Sequence, residues 1–130
     1  MSNNRVLIVS QDRWLLDRIR EALDDAGFET EIALSGAVGY TIAVERRVDL
    51  LLADEGIDDF KNVRKIKDPA SPTYRLPAIV IKANGGAPTE EAMKIYPNAI
   101  VPRDVDGQEL AEKIRSAIKA SRKAKARVCA

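Results

Sequence analysis

Asp54 is the residue of this chain whose position most clearly points to chemistry. It closes the apolar run 48–53, in which the one charged residue is Asp49. The run predicts a buried strand, so a carboxylate stands at the end of that strand. Burying such a group without a partner would be costly, so the acid must react or hold something.

Polar side chains follow the other apolar runs in the same way. Binding groups of open parallel sheets gather at the carboxyl ends of the strands, near the point where the strand order reverses. Each charge alone is better explained as a solvated loop residue, but their joint placement after four runs indicates a site. The residues in these positions are Ser10, Gln11, Asp12, Asp54, Glu55, Lys82 and Arg103.

The elements that must position these residues alternate along the chain. Short apolar runs separated by helical patterns are typical of repeated βαβ units and a parallel sheet. Four of the runs are apolar at successive positions, as in strands covered on both faces, whereas the second alternates and is predicted at an edge. The predicted strands are 5–9, 30–33, 50–53, 78–81 and 99–101.

Caps mark the ends of the helices. An apolar stripe at helical spacing runs from Leu15 to Ala26, and Gly27 supplies the stop. Asp106 is predicted to cap the last helix, with Glu109 three residues on.

Composition excludes several functions. The 130 residues suffice for about one domain, and they include no His and a single Cys at position 129. The commonest general base, a zinc site and an internal disulfide are therefore excluded. We expect no catalytic activity. With 21 basic and 20 acidic residues, no overall field favours nucleic acid or membrane. No run is long enough for a signal peptide or a membrane span, so we expect a cytoplasmic protein.

The order and spacing of the segments 5–9, 27–28, 35–36, 48–54, 76–81 and 108–110 resemble the receiver domain of two-component response regulators. The resemblance extends from Arg5 to about Ser121. It implies an α/β, flavodoxin-like, doubly wound fold with a five-stranded parallel sheet, strand order 2-1-3-4-5, and helices on both faces. It also implies a receiver-like domain over 1–121, followed by a basic C-terminal tail or linker over 122–130.

The resemblance assigns Asp54 the role of phosphoacceptor and places a magnesium-binding pair of acids directly after strand one. Here that pair falls on Ser10 and Gln11, which are both neutral. Magnesium prefers anionic oxygens, so its binding is expected to be weak or absent, and we predict no cofactor. Asp12, one residue on, is a less favoured candidate ligand, because the start of a helix there is expected to direct it elsewhere. Autophosphorylation of Asp54 should be slow or absent.

Two cations and one aliphatic residue occupy the other family positions. Lys82 stands where the family has Thr or Ser, Arg103 where it has Lys, and Ile100 at the aromatic switch position. Lys82 and Arg103 are thus the phosphoryl-contact positions. We hypothesise that Lys82, together with Arg103, forms an ion pair with Asp54 in place of the metal. The alternative is that Lys82 points to water beside Glu55.

Three functions remain open. The first is an atypical receiver acting as a phosphorylation-independent protein-interaction module in bacterial signalling. The second is a phosphoacceptor that a histidine kinase phosphorylates on Asp54, and the third is a small-molecule binder at the same pocket. The resemblance places the partner surface on the fourth helix, fifth strand and fifth helix, with a weak homodimer as a further option. The candidate surface residues are Met93, Lys94, Tyr96 and Pro97.

Two aromatic residues and the basic C-terminal segment each leave alternatives open. Tyr96 is either a partner anchor or a cap on the local core, and Trp14 is either exposed or part of the core. The cations from Lys119 onward fit a helix end or linker, with contact to nucleic acid or anionic lipid as the alternative.

Overall fold

The computed structural model describes residues 3–129, with the backbone alone described for residues 125–129. Strands and helices alternate through this range, as the sequence pattern predicts. The elements are β1 (Arg5–Val9), α1 (Arg13–Asp25), β2 (Glu29–Ala33), α2 (Gly36–Glu45), β3 (Leu50–Asp54), α3 (Phe60–Ile66), β4 (Ala78–Ile81), α4 (Glu90–Met93), β5 (Ala99–Val101) and α5 (Gly107–Cys129).

The five strands form one parallel sheet in the order β2-β1-β3-β4-β5. This confirms the predicted architecture, including the edge position of β2. Three predicted strands have the observed bounds, β2 begins one residue earlier, and β3 includes Asp54 itself. Asp54 pairs in register with Ile81, so the ends of β3 and β4 lie side by side.

The sheet has a separate apolar core on each face, because successive side chains of a strand point to opposite sides. Ile8, Leu52 and Val101 belong to the core that packs against α1 and α5. Val9, Ala53 and Val80 belong to the core on the side of α2, α3 and α4. This alternation decides on which face each residue beyond a strand end lies.

The ends of α1 and α5 follow the predicted caps. Asp12 accepts a hydrogen bond from the backbone N–H of Leu15 at the start of α1. Gly27 follows α1 with a φ of 89°, a conformation that a residue with a β carbon rarely adopts. Asp106 accepts hydrogen bonds from two backbone N–H groups in the first turn of α5. These caps set where the strand-end loops begin.

A side chain of the β3–α3 loop holds the start of α2. The Asp59 carboxylate accepts hydrogen bonds from the N–H groups of Gly36 at 2.7 Å and Ala37 at 3.0 Å, and from the Asn62 amide at 2.9 Å. A β carbon at Gly36 would lie 2.5 Å from the Asp59 carbonyl oxygen, so this close approach requires glycine.

The last helix extends beyond the predicted domain boundary. α5 continues to Cys129, so residues 122–129 prolong the helix. The side chains of Lys125 and Arg127 lie outside the described residues, and the role predicted for the tail stays a prediction. Among the described residues, no helix has both the length and the apolar character needed to cross a membrane.

Candidate functional site

The Asp54 carboxylate is buried and accepts hydrogen bonds from four protein donors. Its side chain lies at the end of β3, and the residue is 3% exposed. Oδ2 accepts from Ser10 Oγ at 2.7 Å and from Arg103 Nη2 at 3.0 Å. Oδ1 accepts from the Gly56 backbone N–H at 2.9 Å and from Arg103 Nη1 at 2.8 Å. The Arg103 guanidinium thus binds the carboxylate with a bidentate fork, the geometry that a guanidinium favours.

Arg103 also joins Asp54 to a second acid. Its Nη2 donates to Asp12 Oδ2 at 2.8 Å, and its Nη1 donates to the Lys82 carbonyl at 3.3 Å. The hydrogen bond from Arg103, followed by that from the Leu15 N–H, holds the pKa of Asp12 below its usual value. The bonds to Asp54 raise the pKa of Arg103 further, so the guanidinium remains charged. One fixed cation therefore serves two carboxylates.

The loop that carries Arg103 is held by α1. Arg18 Nη1 donates to the Val105 carbonyl at 2.9 Å, and its Nη2 donates to the Arg103 carbonyl. These bonds join α1 to the β5–α5 loop at the backbone of Arg103 itself. Arg103 is therefore held both at its backbone and at its guanidinium group.

Alternation along the strands explains which residues meet. Ser10, Asp54 and Arg103 each lie two positions beyond a strand residue of the core next to α1 and α5. They are therefore directed to the same side of the sheet edge. Gln11 and Lys82 have the opposite parity, which directs them toward the side of α2, α3 and α4.

The predicted ion pair between Lys82 and Asp54 is corrected by this geometry. Among the described residues, the salt bridges of Asp54 are made by Arg103, and none within 4.0 Å involves the Lys82 ammonium. Lys82 contributes its backbone carbonyl to the Arg103 fork instead. The physical reason is parity, because Lys82 stands one position beyond the residue paired with Asp54.

The residues at the family's metal position do not fit a magnesium ion. Ser10 is fully buried, and its Oγ donates to Asp54 while accepting from the Asp12 N–H at 3.1 Å. Gln11 is exposed and accepts from the Asp58 N–H at 3.2 Å. Within the described residues, no cluster of three or more acids, His or Cys is placed to hold a metal. The Arg103 cation lies between the two nearest carboxylates, where a second cation would be repelled.

Glu55 has a role that sequence reasoning missed. It is 8% exposed, and its Oε2 accepts from the Ala83 N–H at 2.8 Å while its Oε1 accepts from the Thr89 N–H at 3.0 Å. One buried carboxylate thus ties both ends of the β4–α4 loop to the end of β3. The signal available in the sequence was its position directly after Asp54, which directs it to the opposite face.

The remaining predicted residues lie around α4 and β5. Ile100, at the switch position, is half-buried and packs against the core next to α2, α3 and α4. Met93 is exposed, Pro97 is half-buried, and Lys94 pairs with Glu91 at 3.0 Å. Tyr96 is 82% exposed, so it does not cap the local core. Trp14, outside this group, is also exposed.

Comparisons with known proteins find regulators with related sequences. No family model matches the chain. The transcriptional regulatory protein CpxR of Klebsiella pneumoniae is 28% identical over 125 residues, which cover 91% of this chain and 50% of CpxR. The probable transcriptional regulator ycf29 of Porphyra purpurea is 31% identical over 102 residues, covering 74% of this chain and 46% of ycf29. The chain spans about half the length of the curated relatives it matches.

A solved structure has the same fold. The response regulator receiver domain protein (CheY-like) from Methanospirillum hungatei superposes with a TM-score of 0.80 at 24% identity, covering 94% of this chain and 98% of that one. This likeness shows that the chain has the fold of a CheY-like receiver domain.

Proposed function

We propose that this domain is an atypical receiver that acts as a phosphorylation-independent protein-interaction module in bacterial signalling. The observation that carries the proposal is the bidentate bond from Arg103 to both oxygens of Asp54. The position that would accept a phosphoryl group is already bound by a cation of the protein itself. We also propose that the domain is cytoplasmic, has no catalytic activity and requires no cofactor.

The hydrogen bonds of Asp54 oppose phosphoryl transfer. Transfer requires a free, in-line carboxylate oxygen and a cation that neutralises the equatorial oxygens of the phosphoryl group. Each oxygen of Asp54 instead accepts two hydrogen bonds. Arg103 is additionally anchored by Asp12, so moving it away would break bonds to two acids. Nor do the neutral Ser10 and Gln11 supply the anionic oxygens that magnesium prefers.

The proposed partner is a protein that contacts the face formed by α4, β5 and α5. Exposed Met93 and Tyr96 offer apolar and aromatic contact area on this face, and such residues are enriched at protein interfaces. The near balance of charge over the whole chain offers no comparable attraction to nucleic acid or membrane.

Treatment with magnesium and a phosphoryl mimic tests the proposal. Beryllofluoride or acetyl phosphate should leave the amide resonance of Gly56 unshifted in two-dimensional NMR, because the Gly56 N–H already binds Asp54. A receiver domain that has the usual pair of acids after its first strand, treated in parallel, controls for the reagents. Saturable, magnesium-dependent shifts centred on Gly56 would instead establish the alternative, a phosphoacceptor modified on Asp54.

A further inference from the structure

A groove crosses the amino-terminal edge of the sheet, at the opposite end from Asp54. It consists of two cavities of about 460 and 440 Å³ that share Arg75, Pro77 and Ser121 in their walls. The first extends to Arg47, which follows α2, and the second extends to Tyr96, which precedes β5. We call this continuous surface the basal groove.

The basal groove has more basic than acidic side chains in its walls although the chain as a whole is nearly neutral, and one of these cations, Arg46, is paired with Glu31 at 2.8 Å. Its basic lining residues are Arg46, Arg47, Lys67, Arg75 and Arg122. The acid that lines the same cavities is Asp49, which accepts a hydrogen bond from the Arg5 backbone N–H at 2.8 Å. Arg47 and Arg75 form no salt bridge among the described residues. Two exposed guanidinium groups are thus available to an anionic ligand.

Two tyrosines line the same end of the groove. Tyr74 is 44% exposed and Tyr96 is 82% exposed, and both border the cavity that contains Lys67 and Arg75. Exposed tyrosines beside a cavity offer rigid apolar area with a polar tip, which suits them to binding.

The backbone of Tyr96 has an unusual conformation. Its φ is 49°, and among the described residues no other residue besides glycine has a positive φ. A left-handed conformation is unfavourable for a bulky side chain, and glycine or asparagine would relieve it. At 82% exposure, the ring contributes little packing to offset this strain. Strained backbone positions cluster at binding sites, and exposed tyrosines are enriched among residues that bind partners.

We propose that the basal groove binds an acidic, extended peptide segment of a partner protein. Carboxylates of the segment would bind Arg47 and Arg75, and an apolar side chain beyond the Arg75 contact would lie against Tyr74 and Tyr96. Apolar wall residues such as Pro77 and Leu76 suit a peptide side chain. Nucleic acid is the weaker fit, because the domain lacks the large excess of basic charge that phosphate binding favours. The inference does not depend on the state of Asp54.

Fluorescence anisotropy with a labelled peptide tests the groove. The probe is a short peptide of Glu and Asp around a central Leu-Pro pair, and its analogue replaces each acid with the matching amide. We expect saturable binding of the acidic probe at low salt, with at least tenfold weaker binding of the analogue. Arg47→Glu with Arg75→Glu should weaken binding more than tenfold. The control is Arg13→Glu with Arg20→Glu, an equal charge change on the exposed side of α1, and it should alter affinity less than twofold.

Replacing Tyr96 separates binding from folding. Tyr96→Gly should weaken the acidic probe severalfold while the melting temperature stays equal or rises, because glycine tolerates the observed φ. A tyrosine that served the fold would instead lower the melting temperature when replaced.

Three results would overturn the proposal. The first is no saturable binding of the acidic probe, and the second is equal loss of affinity in the groove and control variants. The third is tighter binding of a short single-stranded DNA oligonucleotide that competes with the peptide, which would assign the groove to nucleic acid. If this proposal fails, the proposed function based on Asp54 is unaffected, since the two experiments probe opposite ends of the sheet.

Discussion

Replacing Arg103 with methionine should destabilise the domain, because it removes the cation from a buried carboxylate. Breaking a buried pair by deleting one partner commonly costs about 3–5 kcal/mol. Two features lower the expected value here. The Arg103 side chain is 29% exposed, so water can partly solvate the Asp54 carboxylate once the guanidinium is removed. Asp54 also keeps its hydrogen bonds to Ser10 and Gly56. We therefore expect a loss of about 2–3 kcal/mol in the free energy of unfolding.

Urea denaturation measures this loss. For a domain of this size the slope is about 1–3 kcal/mol per molar urea, so the midpoint should fall by roughly 0.7–3 M. Adding Asp54→Asn to Arg103→Met should restore part of the loss, because the unpaired charge is then gone.

Lys82→Met is the matched control for this experiment. It removes the same charge from the neighbouring strand end without breaking a bond to Asp54. We expect it to change stability by no more than about 0.5 kcal/mol. If Lys82→Met were as costly as Arg103→Met, or if Arg103→Met were neutral, the Arg103 fork would not be the interaction that satisfies Asp54.

Three further predictions follow from the site and the fold. Ser10→Asp with Gln11→Asp should bind magnesium poorly by isothermal titration, and adding Arg103→Lys should give measurable binding, because the fork then no longer fills the space between the acids. Burial raises the pKa of Asp59, but the hydrogen bonds that its carboxylate accepts outweigh burial and hold the pKa below the ordinary value of 3.8. The stability that the ionised carboxylate contributes is therefore present above pH 3.8 and is lost as the pH falls below that value. In thermal melts, the melting temperature of Asp59→Asn should fall less steeply toward acid pH than that of the unchanged domain. Gly36→Ala should lower the free energy of unfolding in urea by about 1–3 kcal/mol, because its β carbon would lie 2.5 Å from a backbone oxygen.

The sequence pattern predicted the sheet well because parallel strands covered on both faces have a strong apolar signal. Bounds such as 5–9 and 78–81 match the observed strands. The carboxyl-end rule correctly brought Ser10, Asp54 and Arg103 to one edge. These features depend on the period of the strands and on the order of the elements, and both can be read from the sequence.

Of the two cations predicted to pair with Asp54, Arg103 does so and Lys82 does not, for a reason that the sequence contained. β4, which carries Lys82, lies next to β3, whereas β5, which carries Arg103, lies one strand further away. Side-chain parity outweighs proximity at a strand end, because a residue directed to the other face cannot reach across the sheet. The long guanidinium side chain of Arg103 spans the extra distance from the correct face.

Other parts of the site could not be predicted from spacing. Asp12 caps α1 with one oxygen and binds Arg103 with the other, which depends on the rotamers of both side chains. The two backbone bonds of Glu55 depend on the path of the β4–α4 loop, which has no apolar period to reveal it. Loop geometry of this kind is determined by tertiary contacts and appears only in the structure.

The bonds at the Asp54 edge, taken together, favour a domain with a fixed rather than a switched state. Ser10, Asp54 and Arg103 connect the ends of β1, β3 and β5 through one network. Glu55 ties the β4–α4 loop to the same edge from the other face. A switch needs a bistable element that a ligand can bias, and each of these groups already has its partner within the chain. We therefore propose that such a domain is regulated through what its surfaces bind, at its basal groove and at its α4–β5–α5 face.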